Sequence, residues 1–185
     1  MPNTNRIIGQ FLPTGNPATM KVAVNVQADL YAAGQVGCTF DLNGNTYTIV
    51  LVEPAVTALL TAQVLYWKDT GNTGNPPTVT NVLANAIGGA TSALSQVAGV
   101  SLTAFATTGV LGTLICIATG VSKNISVQID AGSTVAAGSP LTASTTVGCL
   151  ALVVAQVTPQ VGVSRGAKSG SPSVALCDLN IPTLA

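Results

Sequence analysis

An all-β fold, a mainly antiparallel barrel or sandwich with at most short helices, is what this sequence predicts, and three observations predict it. Thr, Ser, Asn and Gln are spread through every segment and mixed with Val, Ala and Gly, a blend that suits half-buried pleated surface better than long helices. Short apolar runs recur between Gly, Ser and Pro turns along the C-terminal half, the spacing expected of a sandwich or barrel. Asn43-Gly44 stands between two β-prone runs, "CTFDL" and "NTYTIVLV", and Asn-Gly favours a hairpin because both residues tolerate positive φ.

In chain order, residues 1–20 hold Pro2, Gly9, Pro13, Gly15 and Pro17 with little periodicity, and are expected to form an extended arm ahead of a β-rich domain over 21–185. "KVAVNVQ" from Lys21 alternates as a strand does, and a hairpin is placed at about 36–52. Beyond Glu53-Pro54, "AVTALLTAQVLYWKD" fits a helical or an extended period. The reading adopted is one or two helical turns at 55–61, then a strand at 63–68. Pro76-Pro77 closes a turn-rich loop over 70–78, and the segment around Gly88-Gly89 gives no clear period. Strands are expected at about 96–104, 111–118, 124–129, 139–143, 147–156, 160–165 and 173–179.

Charge narrows the function. Only 6% of the residues are charged, against ~25% in ordinary globular proteins. Six basic residues (Arg6, Lys21, Lys68, Lys123, Arg165, Lys168) balance six acidic ones, and none of the basic residues cluster beyond Arg165 and Lys168. Nucleic acid and anionic membranes both call for clustered positive charge, so neither is an expected partner. A surface this poor in charge gives a free monomer little colloidal protection, which points to self-association or a larger assembly. The start of the chain has no apolar run of signal-peptide length, and no stretch is long enough for a membrane span, so synthesis in the cytoplasm is expected. Cys38, Cys116, Cys149 and Cys177 lie far apart and read as small buried apolar side chains.

A unit occurs twice. "QVAGVSLTAFATTGVLGTLICIATG" at 96–120 and "QVGVSRGAKSGSPSVALCDLN" at 160–180 share a Gly-Val-Ser strand, a small-residue loop and an apolar strand holding a cysteine. Gly99, Val100, Ser101 and Cys116 thereby answer Gly162, Val163, Ser164 and Cys177. Further upstream, "TAQVLYW" at 61–67 corresponds to "AAGSPLT" at 136–142. Two related halves, about 54–120 and 131–180, are expected to build one fold, since neither alone would bury its apolar face.

From Ala131 to Leu179, "AGSTVAAGSPLTASTTVGCLALVVAQVTPQVGVSRGAKSGSPSVALCDL" resembles the head decoration or capsid cement proteins of tailed bacteriophages. In that family an "aaG" turn leads into a strand, and "vGva" then precedes a Gly- or Ser-rich loop and a last apolar strand. The resemblance implies a virion protein on the outer surface of the icosahedral capsid, often trimeric, whose partners are the major capsid protein and its own copies. It carries over no catalytic residue. A tail-tube or fibre subunit, also β-rich and sparsely charged, is the alternative.

The residue chemistry agrees with a structural role. With no histidine, Ser-His and Cys-His nucleophile pairs and histidine-ligated metals are excluded. The acidic residues read mostly as turn and strand-end residues, and the Gly-rich stretches lack the ending of a phosphate loop. No enzyme activity, cofactor or metal is expected. Candidate partner contacts are Arg6 and Phe11 in the arm, Trp67 as an aromatic anchor if it is exposed rather than core, and Arg165 with Lys168 in "SRGAKSG".

Overall fold

The computed structural model describes residues 21–23, 36–54, 56, 58–69, 77–87, 97–106, 112–154, 160–170 and 172–181. Within them the fold is all-β. The strands are β1 (Lys21–Ala23), β2 (Thr39–Leu42), β3 (Asn45–Val52), β4 (Val64–Asp69), β5 (Thr78–Thr80), β6 (Val97–Ser101), β7 (Thr113–Thr119), β8 (Val121–Gln128), β9 (Pro140–Ala143), β10 (Leu150–Leu152), β11 (Gly162–Ser164) and β12 (Val174–Asn180). A 3-10 turn covers Leu83–Asn85. The arm and its residues Arg6 and Phe11 lie outside the described residues.

The expected hairpin joins β2 to β3, and its turn has Asn43 at φ 52° and Gly44 at φ 77°. Two positive φ values in succession match the twist of the flanking strands. Of the helical turns expected at 55–61, the described residues 56 and 58–61 show none; Leu59 and Phe105 instead exchange both backbone hydrogen bonds at 2.9 Å. The bridge suits burial, since Val56, Leu59 and Phe105 join Leu65 and Trp67 in one core.

In the first sheet the strands run β1-β7-β6-β4-β5-β3-β2, and a further β7–β3 pairing closes β3, β5, β4, β6 and β7 into a barrel. The one parallel pair in that ring is β3 with β5. Alternate residues point inward: Val50, Val52, Leu65, Trp67, Val79, Ala98, Ile115 and Ile117 form its interior. Each fully buried Val, Leu or Ile among them stabilises the fold by roughly 1.5–3 kcal/mol.

The second sheet runs β10-β9-β11-β12-β8, and a parallel bridge from Ile129 to Leu150 joins its two ends. The first, third, second, fourth and fifth strands of each unit therefore follow one another around a ring in the same order. Registers correspond between the two units at several positions. Leu65 faces Gly99 as Leu141 faces Gly162, Trp67 faces Val79 as Ala143 faces Leu150, and Ser101 faces Ile117 as Ser164 faces Cys177. Ala62, at φ 69°, donates its N–H to the Ser101 carbonyl, and Gly138, at φ 83°, donates to that of Ser164. The Ser101 and Ser164 hydroxyls each donate to a carbonyl two residues on.

Two alignments made from the sequence shift by one residue. Leu65 answers Leu141, not Pro140, and Ile117 rather than Cys116 answers Cys177. In a strand a one-residue slip exchanges the faces. Ile117 and Cys177 both point into a barrel, whereas Cys116 lies on the outside of the first. The units also begin earlier than expected, with β3 and β8 as their first strands.

Gly99 and Gly162 share a physical reason. A Cβ at Gly99 would overlap the carbonyl oxygen of Ala118, and one at Gly162 that of Asp178. Backbone atoms on a paired strand cannot step aside cheaply. Gly99→Ala and Gly162→Ala are each expected to lower stability by about 1–3 kcal/mol, read from the urea midpoint at unchanged slope.

Candidate functional site

The chemistry-bearing side chains concentrate where the first and third strands of each unit meet. At the end of β3, Glu53 donates its N–H to the Val79 carbonyl at 2.8 Å, and at the end of β8, Asp130 does the same to Leu150 at 2.8 Å. One acid therefore occupies one position in both halves. Its partners have diverged: Glu53 is buried and pairs with Lys68, whereas Asp130 takes hydrogen bonds from the hydroxyls of Ser144 and Thr146, both at 2.7 Å, and from the Gly132 N–H at 2.9 Å. Ser144 holds in the second unit the place that Lys68 holds in the first.

Those three hydrogen bonds hold the Asp130 carboxyl below its ordinary pKa, with Lys168 nearby adding to the effect. At the other end of β12, the Arg165 guanidinium donates to Asp178 at 2.8 Å and lowers that carboxyl too, helped by the Asn124 N–H.

Glu53, Thr80, Asn81 and Asn85 line a cleft of about 230 Å³ together with Val56, Ala58, Val82 and Val147. Glu53 Oε2 is buried there without a hydrogen-bond partner, while its other oxygen accepts a hydrogen bond from the ammonium of Lys68, whose side chain is 42% exposed. Across the molecule, a groove of about 340 Å³ runs over the outside of β12 past Ser126, Arg165, Ser169, Val174 and Leu176. Neither concavity brings two carboxylates together, and among the described residues no group of three or more Cys, Asp or Glu is placed to hold a metal.

The sequence-derived contact residues fare differently. Trp67 is 4% exposed, inside the first barrel opposite Val79, so it is a core residue and no surface anchor; closure of the ring turns it inward. Arg165 stays at the surface, 49% exposed by side chain, but is spoken for by Asp178. Lys168 is brought to the other acid site, where it donates to the carbonyls of Asp130 and Ala131 at 3.0 and 2.6 Å. It pins the β11–β12 hairpin to the turn after β8. Sequence reasoning missed the Glu53–Lys68 pair and the Ser144–Asp130–Thr146 cluster. An acid just beyond the end of the first strand of each unit was the available signal, and it needed the correct register to be seen.

All four cysteines are free thiols. Burial pushes Cys116 and Cys177 up to about 12 and raises Cys149 and the half-buried Cys38 as well. The thiolate is the reactive form, so none is primed as a nucleophile.

Searches of protein families, curated proteins and solved structures return no match to this chain.

Two outcomes follow from these groups. Because Asp130 and Asp178 sit below the unfolded Asp value of about 3.9, their stabilisation is complete above that pH and is lost as pH falls through their lower folded values. The thermal midpoint should therefore hold from neutral pH to about 5 and drop below about 4, and Asp130→Asn should flatten part of that drop. For the buried acid, Lys68→Met strands a charge and is expected to cost about 1–3 kcal/mol more than Lys68→Met combined with Glu53→Gln, measured by urea unfolding.

Proposed function

We propose that this chain is a structural virion protein that binds the outside of an icosahedral capsid and cements neighbouring coat subunits, acting as a small closed oligomer, a trimer, with residues 1–20 as the arm that reaches a neighbour. The observation that carries the reading is a duplicated, all-β body with few charges. The charged side chains around its clefts are committed to holding its own turns: Lys68 to Glu53, Arg165 to Asp178, Lys168 to the Asp130 turn.

A cement protein needs shape, rigidity and many modest contacts repeated over a lattice, and repetition turns such contacts into strong avidity. Two short barrels sharing one apolar cluster supply rigidity. Polar, uncharged loops can hydrogen-bond to a coat surface without burying unpaired charge. The family resemblance from Ala131 to Leu179 supports the capsid as the lattice.

Light scattering of the purified chain, then pelleting with expanded empty heads of its parent phage, tests this. Cementing predicts a discrete trimer that co-sediments with heads and raises their disruption temperature, and Phe11→Asp in the arm should weaken co-sedimentation at least tenfold. Rods or rings that form without heads and ignore them would replace the reading with that of a tail-tube subunit.

A further inference from the structure

The two barrels share a strand order but differ at one rung of their parallel meeting, and that difference defines a binding slot. In the first barrel the parallel pair β3–β5 has successive bonds from Leu51 N–H to the Pro77 carbonyl at 3.1 Å and from Glu53 N–H to the Val79 carbonyl at 2.8 Å. The second barrel keeps the counterpart of the second bond, Asp130 N–H to Leu150, at 2.8 Å. The counterpart of the first would join Gln128 N–H to the Gly148 carbonyl. Instead Gln128 donates to the Ala62 carbonyl at 2.7 Å, and the Gly148 carbonyl accepts from Val64 N–H at 2.8 Å. Residues 62–64 of the first barrel stand between two strands of the second.

Side chains reinforce the insertion. The Gln128 amide donates to the Thr61 carbonyl at 3.1 Å, and the Tyr66 hydroxyl reaches the Ser144 and Cys149 carbonyls at 3.3 and 3.5 Å. Val64 and Tyr66 belong to one apolar cluster with Leu141 and Leu150 from the second barrel. We infer that the gap between β8 and the lead into β10 is a strand-acceptor site for an extended segment with apolar residues two apart, and that its occupant is residues 62–66 of this same sequence.

The same comparison shows why the joint is used once. The first barrel has no open slot, because Leu51 and Pro77 bond directly. The second barrel has no competent donor: its counterparts of Val64 and Tyr66 are Pro140, which lacks an N–H, and Thr142, whose buried hydroxyl finds no partner. One chain therefore builds a pair of barrels and stops. Assembly beyond it uses other surfaces.

Hydrogen exchange on the intact chain with a synthetic peptide of residues 60–68 tests the slot. In the wild type, the amides of Val64 and Gln128 should exchange through one shared opening, at least about tenfold faster than Leu51, whose bond lies within its own barrel. In full-length Val64→Pro, Gln128 protection should fall at least about tenfold and be restored by the peptide, but not by a peptide carrying the same proline. Equal protection of Leu51 and Gln128 in the wild type overturns the proposal, whether or not Val64→Pro folds. So does a folded Val64→Pro chain whose Gln128 amide ignores the peptide.

Discussion

Backbone pairing governs this molecule. With almost no helix among the described residues and strands as short as three residues, nearly every buried N–H and C=O must find its partner on another strand, and each orphan would cost about 1–3 kcal/mol. Closing the sheet on itself removes the edges. In both units closure depends on the parallel meeting of the first and third strands, whose connection crosses the end of the barrel. The acids Glu53 and Asp130 sit at that meeting, and the inserted Ala62–Val64 segment repairs it where the second unit leaves a rung open.

The insertion also explains why the apolar interior is not simply two separate cores. The inside of the first barrel is a cluster of its own, while its outer face, with Val64, Tyr66, Val100, Cys116 and Ala118, is continuous with the interior of the second. A barrel of five short strands buries little by itself. Sharing an apolar cluster through the joint lets the second unit reach a stable size, and hydrogen bonds between Thr46 and Ser122, and from Lys123 N–H to Asn45, fasten the junction beside Gly120.

Much of this was legible in the sequence, because the signals were local. Asn43-Gly44 announced the first hairpin, and the Gly-Val-Ser repeat marked the fourth strand of each unit through glycines that face a carbonyl too closely for any Cβ. Register was harder. Matching Cys116 to Cys177 by identity was attractive, yet a period of two makes a one-residue slip a change of face, and burial on both sides of β7 hid the error. Strand β5, three residues after Pro76-Pro77, carries too little pattern to be seen. Trp67 was ambiguous for the same reason as its segment: an apolar run reads alike as core strand or exposed anchor until the ring closes around it. Of the candidate site, Arg165 and Lys168 were visible as a charged loop, but the partners of Lys168, the Asp130 and Ala131 carbonyls, lie far back in the sequence, and Asp178 meets Arg165 only through the β11–β12 register.

The remaining asymmetry lies on the outer faces of the two units. Where the first unit has Ile49, Leu51 and Cys116 facing outward and buried, the second has Ser126, Gln128 and Leu176 at the matching registers. Ser126 is exposed, Leu176 is 50% exposed, and Gln128 turns its amide to the joint. The second unit lacks the apolar outer face that the first has, as expected if that unit presents its β8–β12 surface outward while the first is covered. The charge pairs follow the same division. In the first unit the buried Glu53 is paired by the partly exposed Lys68, since desolvation makes a lone charge costly. In the second, Asp130 and Asp178 lie near solvent and act by ordering turns, a role in which an exposed ion contributes through geometry more than through Coulomb energy. One shared strand order thus carries two different outer faces, and the rung that the second unit leaves open is where the two are bound together.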